Sequence, residues 1–257
     1  MRNELMQLLS WVALSAGITG GGASGTSGPA FTPVQPADFA IAGSLSNSWA
    51  DFDKDGDLDL AVSLKTGEIR LYRNDRGSFT SIGATYSLPL EGAEMRGLSW
   101  GDYDADGWID LYAGATSVKE ANLFFRNVGG RTFINAGRSL DLTAPGRSAR
   151  QSSWVDFDND GDLDLFAANR AGPNVLFRQD AGNFARVAAS QFPDDARPTV
   201  GACWLDYDRD GDLDLFLANQ AGATDALWRN DGNGFVDVAT ELGIDRPNRP
   251  SEEGSVG

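Results

Sequence analysis

The chain has 257 residues, of which 41% are hydrophobic and 23% are charged, an ordinary balance for a globular protein that buries a core. Its formal net charge of −16 is unusual and argues against nucleic acid or anionic lipid as a partner. Histidine is absent and Cys203 is the single cysteine, which excludes His-dependent catalytic triads, His or Cys zinc sites and intramolecular disulfides.

The first 28 residues differ in composition from the rest of the chain. Residues 5–18 are mostly apolar, with Arg2 before them and a tract of small residues at 20–28 after them. This order is typical of a secretory signal with cleavage near Ala23, and the apolar stretch is too short to span a bilayer. We expect residues 1–28 to be a signal peptide or a poorly ordered tail. The protein is then secreted, periplasmic or on the cell surface, without membrane insertion.

Residues 29–246 are built from repeats. An acidic loop of the form D-x-D-x-D-G-x-x-D occurs four times, at intervals of 51, 54 and 50 residues. The loops occupy residues 51–59, 102–110, 156–164 and 206–214. Each loop begins two residues after a Trp and ends in a short apolar run. Four copies in one register indicate a shared ligand rather than isolated acidic turns.

The spacing within each loop has a chemical reason. Carboxylates at positions 1, 3 and 5 converge on one point only if the backbone wraps around it, and glycine at position 6 permits that turn. Position 7 is expected to offer its backbone carbonyl, so Trp108 can replace Asp there, and position 9 adds a carboxylate. Flexible oxygen ligands favour Ca²⁺ over Mg²⁺ and over softer transition metals. The sequence therefore predicts about four Ca²⁺ ions, one in each loop.

The predicted metal ligands are the residues at positions 1, 3, 5, 7 and 9 of the four loops. They are Asp51, Asp53, Asp55, Asp57 and Asp59; Asp102, Asp104, Asp106, Trp108 and Asp110; Asp156, Asp158, Asp160, Asp162 and Asp164; and Asp206, Asp208, Asp210, Asp212 and Asp214. No catalytic residue and no organic cofactor is predicted.

An EF-hand contains a similar loop, but it requires Glu at position 12 and a helix on each side. Position 12 of the four loops is Val62, Ala113, Ala167 and Leu217. The residues after the loops form short alternating runs that favour strands. We therefore expect each loop to lie in a β-hairpin.

A second motif follows each loop, with an aromatic residue, Arg and an amide or acidic side chain in succession. Its copies are Leu71–Asp75, Leu123–Asn127, Val175–Gln179 and Ala226–Asn230. A turn rich in Gly, Asn and Asp comes next, and then a Phe that opens a further strand, at Phe79, Phe133, Phe184 and Phe235. Four antiparallel strands in about 50 residues, repeated radially, predict an all-β protein, a β-propeller with four blades.

The two motifs together resemble a known family. The pattern W-x-D-[FY]-D-x-D-G-D-L-D-L followed by L-[FYW]-R-N-D-G-x-G-x-F resembles the FG-GAP/VCBS repeat, also found in integrin α-subunit heads. The resemblance covers about residues 31–244. Residues 235–244 are similar to repeats of bacterial secreted proteins that carry an ASPIC/UnbV domain, although no such domain is visible in the sequence. The resemblance implies a calcium-binding extracellular module for adhesion or for recognition of protein or carbohydrate ligands.

The ends of the repeat region predict a larger array. Residues 30–34 read as a Phe-led final strand before the first loop, and residues 255–257 match residues 199–201, which lead into the fourth loop. Propellers avoid an open sheet edge by closing the ring, often with one blade completed from both termini. We expect part of a larger propeller, cut within the C-terminal tail at residues 247–257, with further blades or domains in the full-length chain. A closed four-bladed ring is the alternative.

We expect specific roles for five tryptophans and for the single cysteine. Four tryptophans are repeat-equivalent and are expected to pack between adjacent blades, with sugar stacking as the alternative: Trp49, Trp100, Trp154 and Trp204. Trp108 is the best candidate for an exposed contact residue. Cys203, beside Trp204 in a strand-like segment, is expected to be a buried small hydrophobe.

Four arginines are also repeat-equivalent: Arg73, Arg126, Arg178 and Arg229. They either tie neighbouring loops together through carboxylates or lie along apolar surface with solvated heads.

Three functions fit these features. We expect a non-enzymatic recognition module, because a catalytic site should break the repeat pattern and the acidic residues outside the loops, such as Glu91 and Asp194, lie in variable turns. The alternatives are a calcium-dependent hydrolase or lyase with its site in the propeller channel, and a structural spacer in a larger surface protein.

Overall fold

The computed structural model describes residues 32 and 34–245. The expectations for residues 1–28, for Phe31 and for residues 247–257 lie outside this part of the chain. The chain divides into two units, residues 1–34 and 35–257, and every helix and strand of the described residues belongs to the second unit. The described residues of this unit form sixteen strands and one short helix, α1 (Pro36–Phe39). No helix in residues 34–245 has the length and apolar character needed to cross a membrane.

The strands form four antiparallel sheets of four strands each, in chain order. The first sheet contains β1 (Ser44–Ala50), β2 (Asp59–Leu64), β3 (Ile69–Asp75) and β4 (Ser78–Ser81). The second contains β5 (Met95–Gly101), β6 (Asp110–Ala115), β7 (Leu123–Asn127) and β8 (Phe133–Asn135). The third contains β9 (Ser148–Val155), β10 (Asp164–Ala171), β11 (Val175–Asp180) and β12 (Asn183–Arg186). The fourth contains β13 (Thr199–Leu205), β14 (Asp214–Asn219), β15 (Ala226–Asn230) and β16 (Phe235–Asp237).

Consecutive strands are neighbours in every sheet, so each sheet is a meander of the kind predicted for a propeller blade. The second strands are the most buried, and β6 is buried along its whole length. Both of its faces are covered by adjacent sheets, which explains the continuous apolar run in its sequence. The fourth strands are short and largely exposed, as in β4 and β12. The all-β blade architecture predicted from the sequence is therefore confirmed.

The core lies between consecutive sheets. Apolar clusters fill the three spaces: one includes Phe52, Leu111 and Phe133, the next Tyr103, Phe124 and Phe177, and the third Phe157, Phe166 and Phe235. The first strands of consecutive sheets also lie side by side, β1 beside β5, β5 beside β9 and β9 beside β13. No comparable packing joins β13 to β1 within residues 34–245. The four blades therefore form an open row rather than the closed four-bladed ring considered above.

The helix α1 covers the first sheet in the way that the turn after the third sheet covers the fourth. The ring of Phe39 lies 4.9 Å from Tyr72 and 5.2 Å from Phe79. Phe192 makes the equivalent contacts in the fourth sheet, 6.3 Å from Trp228 and 5.3 Å from Phe235. Residues 35–39 thus contribute what a preceding repeat would otherwise supply.

The repeated tryptophans mostly pack as expected. Trp154 contacts Phe124 of the preceding sheet at 5.8 Å, and Trp204 contacts Phe166 of the preceding sheet at 5.7 Å. Trp100 donates a hydrogen bond of 3.3 Å from Nε1 to the carbonyl of Ser48 in β1. Trp49 departs from the prediction and is 43% exposed, because no sheet precedes the first one in the part of the chain that the structure describes.

The prediction of a buried Cys203 is wrong, because its thiol is exposed. Trp204 faces the third sheet, so its neighbour Cys203 points to the opposite face of the strand. The equivalent residue of the third sheet, Ser153, is covered by Trp204, which donates a hydrogen bond of 3.1 Å to Ser153 Oγ. No fifth sheet follows within residues 34–245 to cover Cys203 in the same way.

Candidate metal centres

Each acidic loop connects the first strand of its sheet to the second. The position 9 aspartate is the first residue of the second strand, as in the pairing of Ala50 with Asp59. The glycine at position 6 has a positive φ in all four loops, 94° for Gly56, as its conformational role predicts. Position 4 is left-handed too, and this was not foreseen, because the residues there are Lys54, Ala105, Asn159 and Arg209.

Three loops bring the same three carboxylates together. Oxygens of the aspartates at positions 1, 3 and 9 lie within 4.8 Å of one another. The clusters are Asp51, Asp53 and Asp59; Asp102, Asp104 and Asp110; and Asp156, Asp158 and Asp164. In the fourth loop the cluster is Asp206, Asp208 and Asp210, at positions 1, 3 and 5, and all three are exposed. Each repeat therefore contains one cluster of aspartate oxygens that could hold a metal ion.

The position 5 aspartates hold the shape of the loop. Asp55 Oδ1 accepts a hydrogen bond of 2.9 Å from the backbone N–H of Asp57, and Asp160 Oδ1 accepts the equivalent bond from Asp162. The second and fourth loops repeat it, at 2.8 Å from Trp108 to Asp106 and at 2.9 Å from Asp212 to Asp210. These side chains therefore order the backbone beside the cluster.

The position 7 side chains point away from the clusters. Asp57 Oδ2 accepts a hydrogen bond of 2.8 Å from the backbone N–H of Arg76, and Asp162 accepts one of 2.8 Å from Ala181. Both bonds attach the loop to the turn between the third and fourth strands of its own sheet. Their carboxylates are thus used structurally, so position 7 would offer an ion its backbone carbonyl.

The position 9 aspartates are buried and doubly hydrogen-bonded. Asp110 accepts bonds from the backbone N–H groups of Tyr103 (3.3 Å) and Asn127 (2.7 Å), one on each oxygen. Burial raises the pKa of Asp59 to about 6 and those of Asp110 and Asp164 to about 7, although the backbone bonds oppose the shift. Burial also raises the pKa of Asp214. Each oxygen keeps a second lone pair for a cation.

Three carboxylate oxygens in these clusters are buried without any hydrogen-bond partner: Asp53 Oδ1, Asp102 Oδ1 and Asp158 Oδ1. Burial and the neighbouring carboxylates raise the pKa of Asp53 and of Asp158. Burying a carboxylate oxygen without a partner costs roughly several kcal/mol of desolvation free energy unless a cation or a hydrogen-bond donor reaches it. The donor set is oxygen only, so it fits a hard cation such as Ca²⁺.

The repeated arginines pair with carboxylates of their own sheet rather than tying neighbouring loops together. Arg126 lies 2.7 Å from Asp104, and Arg178 lies 3.1 Å from Asp158, both at position 3 of a loop. Arg73 and Arg229 instead pair with the acidic residue two positions further along their strand. In two loops an arginine therefore offsets part of the negative charge.

A cavity of about 350 Å³ lies between the third and fourth sheets, beside the third loop. Its lining includes Phe157, Asp158, Arg178, Arg186, Gln191 and Asp212. The residues equivalent to Gln191 and Asp212 between the first two sheets are Tyr86 and Trp108. Tyr86 packs there against Phe52 at 5.4 Å. The cavity exists because smaller polar side chains replace these aromatic rings.

The FG-GAP-like repeat family matches residues 51–113 and 156–217. These two segments are FG-GAP-like repeats. Each match begins at position 1 of one loop and ends in the second strand of the following sheet, so the two matches together include all four loops. The family likeness predicted from the two sequence motifs is therefore confirmed.

Solved structures similar to these FG-GAP-like repeats include an Agrocybe aegerita lectin described as recognising non-reducing terminal N-acetylglucosamine. It shares 18% identity and a TM-score of 0.46, over 76% of this chain and 51% of that chain. The V. cholerae biofilm matrix protein Bap1 shares 14% identity and a TM-score of 0.38, over 74% of this chain and 29% of its own. The chain therefore spans about half of the first protein and under a third of the second. No curated protein matches the sequence.

Proposed function

We propose that this protein is a calcium-stabilised extracellular recognition module without catalytic activity, in which each of the four loops holds one Ca²⁺. The observation that carries the proposal is the repeated cluster of aspartate oxygens, with a buried unpartnered oxygen in each of the first three loops. Asp51, Asp53 and Asp59 would hold the ion in the first loop, with position 7 adding a backbone carbonyl. When bound, the ion supplies positive charge that neutralises the crowded carboxylates.

An extracellular location agrees with the chemistry of these loops. Sites with few protein ligands and partial exposure fill only where calcium is near millimolar, which is the range of extracellular modules. The fourth cluster, with three exposed aspartates, is of this kind. The predicted signal at residues 1–28 points in the same direction.

The cavity between the third and fourth sheets supports a recognition role. Its volume of about 350 Å³ lies within the range of small-ligand sites. The arginines in its lining are already paired with carboxylates, because Arg178 pairs with Asp158 and Asp180, and Arg186 pairs with Asp194. A neutral ligand with many hydroxyl groups, such as a monosaccharide unit, matches this polar lining and its phenylalanine rings better than an ion does.

Calorimetric titration of metal-free protein with Ca²⁺ tests the metal part of the proposal. We expect about four ions per chain and weaker binding of Mg²⁺, because Mg²⁺ requires a more regular octahedral site. No heat of binding, together with no calcium in the dialysed protein, would overturn it. Replacing Asp158 with Asn should remove one ion from the count, whereas replacing the exposed Asp141 with Asn should remove none.

A glycan array, probed with and without Ca²⁺, tests the recognition part. We expect binding to a defined set of glycans, reduced in Arg186→Ala and retained in Arg138→Ala, an exposed arginine outside the cavity. Turnover of phosphate esters or glycosides by the loaded protein would instead favour the enzymatic alternative.

A further inference from the structure

In the second, third and fourth sheets, an amide residue near the end of the third strand bridges two sheets. Asn127 Nδ2 donates a hydrogen bond of 2.9 Å to the carbonyl of Phe52, 75 residues away in the first loop. Gln179 Nε2 donates one of 2.7 Å to the carbonyl of Tyr103 in the second loop. Asn230 Nδ2 donates one of 2.9 Å to the carbonyl of Phe157 in the third loop. We call Asn127, Gln179 and Asn230 the bridging amides.

Every bridging amide contacts position 2 of the preceding loop. That residue lies between the aspartates at positions 1 and 3, two of the three clustered ligands. Its peptide is therefore oriented by the same backbone that brings those carboxylates together. A buried carbonyl that loses its donor costs about 1–3 kcal/mol, so the bridging amide and the loop backbone constrain each other.

Every bridging amide also holds a metal ligand of its own sheet. The backbone N–H of Asn127 donates to Asp110 at 2.7 Å, that of Gln179 to Asp164 at 2.8 Å and that of Asn230 to Asp214 at 2.9 Å. The other oxygen of each aspartate accepts the N–H of position 2 in the same loop, as Asp164 does from Phe157 at 3.0 Å. The backbone N–H of position 2 thus donates to the aspartate of its own sheet, and its carbonyl accepts from the bridging amide of the next sheet.

These bonds form one continuous series through the four loops. It runs Asp59, Phe52, Asn127, Asp110, Tyr103, Gln179, Asp164, Phe157, Asn230, Asp214. All ten residues are buried, with at most 9% exposure. Water therefore does not compete readily for these bonds, and the order of one group is transmitted to the next.

We propose that this series makes the four metal loops cooperative, each filled loop raising the calcium affinity of its neighbour through the bridging amide. The inference rests on the proposed function, because it concerns how the loops bind calcium. Carboxylates that converge in one loop fix the position 2 peptide, which orients the bridging amide. The amide backbone then fixes the position 9 ligand of the next loop before an ion arrives there.

The fourth loop lies at the end of this series. Its aspartates at positions 1, 3 and 5 are exposed, and no bridging amide of a following sheet reaches the carbonyl of Tyr207 within residues 34–245. Its position 9 ligand, Asp214, accepts the same two backbone bonds as in the other loops, from Asn230 and Tyr207. The fourth loop is therefore the weakest and the last to fill.

The second and third loops give the clearest test, because Ala105 at position 4 has no polar group that adds another link between them. Protein labelled with ¹⁵N-glycine reports each loop separately, since Gly107 and Gly161 donate their N–H groups to the position 1 aspartates Asp102 and Asp156. Calcium titration followed by NMR then gives a dissociation constant for each loop. Asp102→Asn weakens the second loop directly, and the third loop is the reporter.

We expect Asp102→Asn to weaken calcium binding in the third loop about fivefold or more, a typical size for coupling between sites. In a Gln179→Met background the same substitution should leave the third loop unchanged. Asn74→Leu is the matched control, because Asn74 makes the equivalent bonds within its own sheet, to Leu58 and Gly77, and among residues 34–245 no loop precedes it to be bridged. It should preserve the coupling between the second and third loops.

The outcomes separate this inference from the proposed function. If none of the loop glycines responds to Ca²⁺, the proposed function fails. If they respond but Asp102→Asn leaves the third loop unchanged or tightens it, the coupling is overturned, since tightening would indicate only repulsion between ions. The Asp102→Asn measurement changes no residue of the series, so it remains decisive even where Gln179→Met folds poorly.

Discussion

The ammonium group of Lys54 lies 4.3 Å from the centre of the Trp108 ring, joining position 4 of the first loop to position 7 of the second. The same two positions meet between the third and fourth loops, where Asn159 Nδ2 donates a hydrogen bond of 2.8 Å to Asp212 Oδ1. Trp108 is therefore half-buried in a contact between loops, rather than presented outward as the sequence predicted. The contact between Lys54 and Trp108 thus joins the first and second loops where a hydrogen bond between Asn159 and Asp212 joins the third and fourth.

A double-mutant cycle with Lys54→Gln and Trp108→Leu should give a coupling energy of about 0.5–1 kcal/mol, the usual range for a cation–π pair at an exposed site. The measurement is chemical denaturation of metal-free protein, so that the charge of Lys54 does not act through an ion. Lys119→Gln, at an exposed position, serves as the control and should show no coupling with Trp108→Leu. Additive effects of Lys54→Gln and Trp108→Leu would contradict the contact.

Asp53→Asn should destabilise the fold only when calcium is present. In the metal-free protein the Oδ1 atom of Asp53 is buried without a partner and lies near Asp51 and Asp55, so removing the charge should stabilise the fold or leave it unchanged. With 1 mM Ca²⁺ the same change should destabilise it by about 0.4–1.4 kcal/mol, the contribution of one weak site. Denaturation curves in the two conditions check this.

Asp158→Asn provides the comparison for that result. Asp158 has a similar unpartnered oxygen, but its other contacts include Arg178 at 3.1 Å. The loss of that ion pair offsets the relief of repulsion, so the metal-free gain should be smaller than for Asp53→Asn. A loss of stability for Asp53→Asn in both conditions would argue against a cation site in the first loop.

The blades and loops could be predicted because their signals are local. The spacing of Asp51, Asp53 and Gly56, followed by an alternating run, specifies a hairpin whatever surrounds it. The place of a side chain between sheets could not be predicted in the same way. Asn127 belongs to a motif visible in the sequence, but its bond to Phe52 depends on which sheet lies beside it.

The two wrong expectations about burial have the same origin. Cys203 and Trp49 occupy repeat-equivalent places in strands that are covered elsewhere, but they lie in the last and first sheets of the row. A repeat pattern describes the average blade and contains no information on whether a given face has a neighbour.

Calcium removal should lower the melting temperature markedly. Four sites with dissociation constants of about 0.1–1 mM contribute together roughly 2–6 kcal/mol at 1 mM calcium. A domain of this size loses about 2–4 °C per kcal/mol, so the expected decrease is roughly 5–20 °C. Differential scanning calorimetry with calcium and with EGTA measures it, and Mg²⁺ at the same concentration should restore less. Identical melting curves would leave the metal without a structural role.

The thiol of Cys203 should react with a maleimide or an aromatic disulfide in the native protein at a rate close to that of a free cysteine, since it is exposed. A Ser153→Cys, Cys203→Ser variant moves the single thiol to the equivalent place in β9, where Trp204 covers it. That thiol should react about tenfold more slowly than the thiol of Cys203, because the reaction requires local opening of the strand. Equal rates would show that the fourth sheet does not cover the third as described.

Stability of the metal-free protein should fall as the pH rises from about 5 to 8. Burial raises the pKa of Asp59 to about 6 and those of Asp110 and Asp164 to about 7, above the ordinary value of 3.8 that they regain on unfolding. The folded state therefore binds more protons than the unfolded state between these values. The stability that protonation of these aspartates contributes is fully present below about pH 4 and is lost as the pH rises through about 6 to 7.

Denaturation of metal-free protein at a series of pH values measures this slope. Asp110→Asn should reduce it, because one of the three groups no longer titrates, whereas Asp141→Asn, at an exposed position with a left-handed backbone that Asn tolerates, should not. Calcium should reverse the trend, since an ion competes with the proton for the same oxygens and binds more tightly as the pH rises. A metal-free protein whose stability increases from pH 5 to pH 8 would mean that these aspartates are solvated rather than buried.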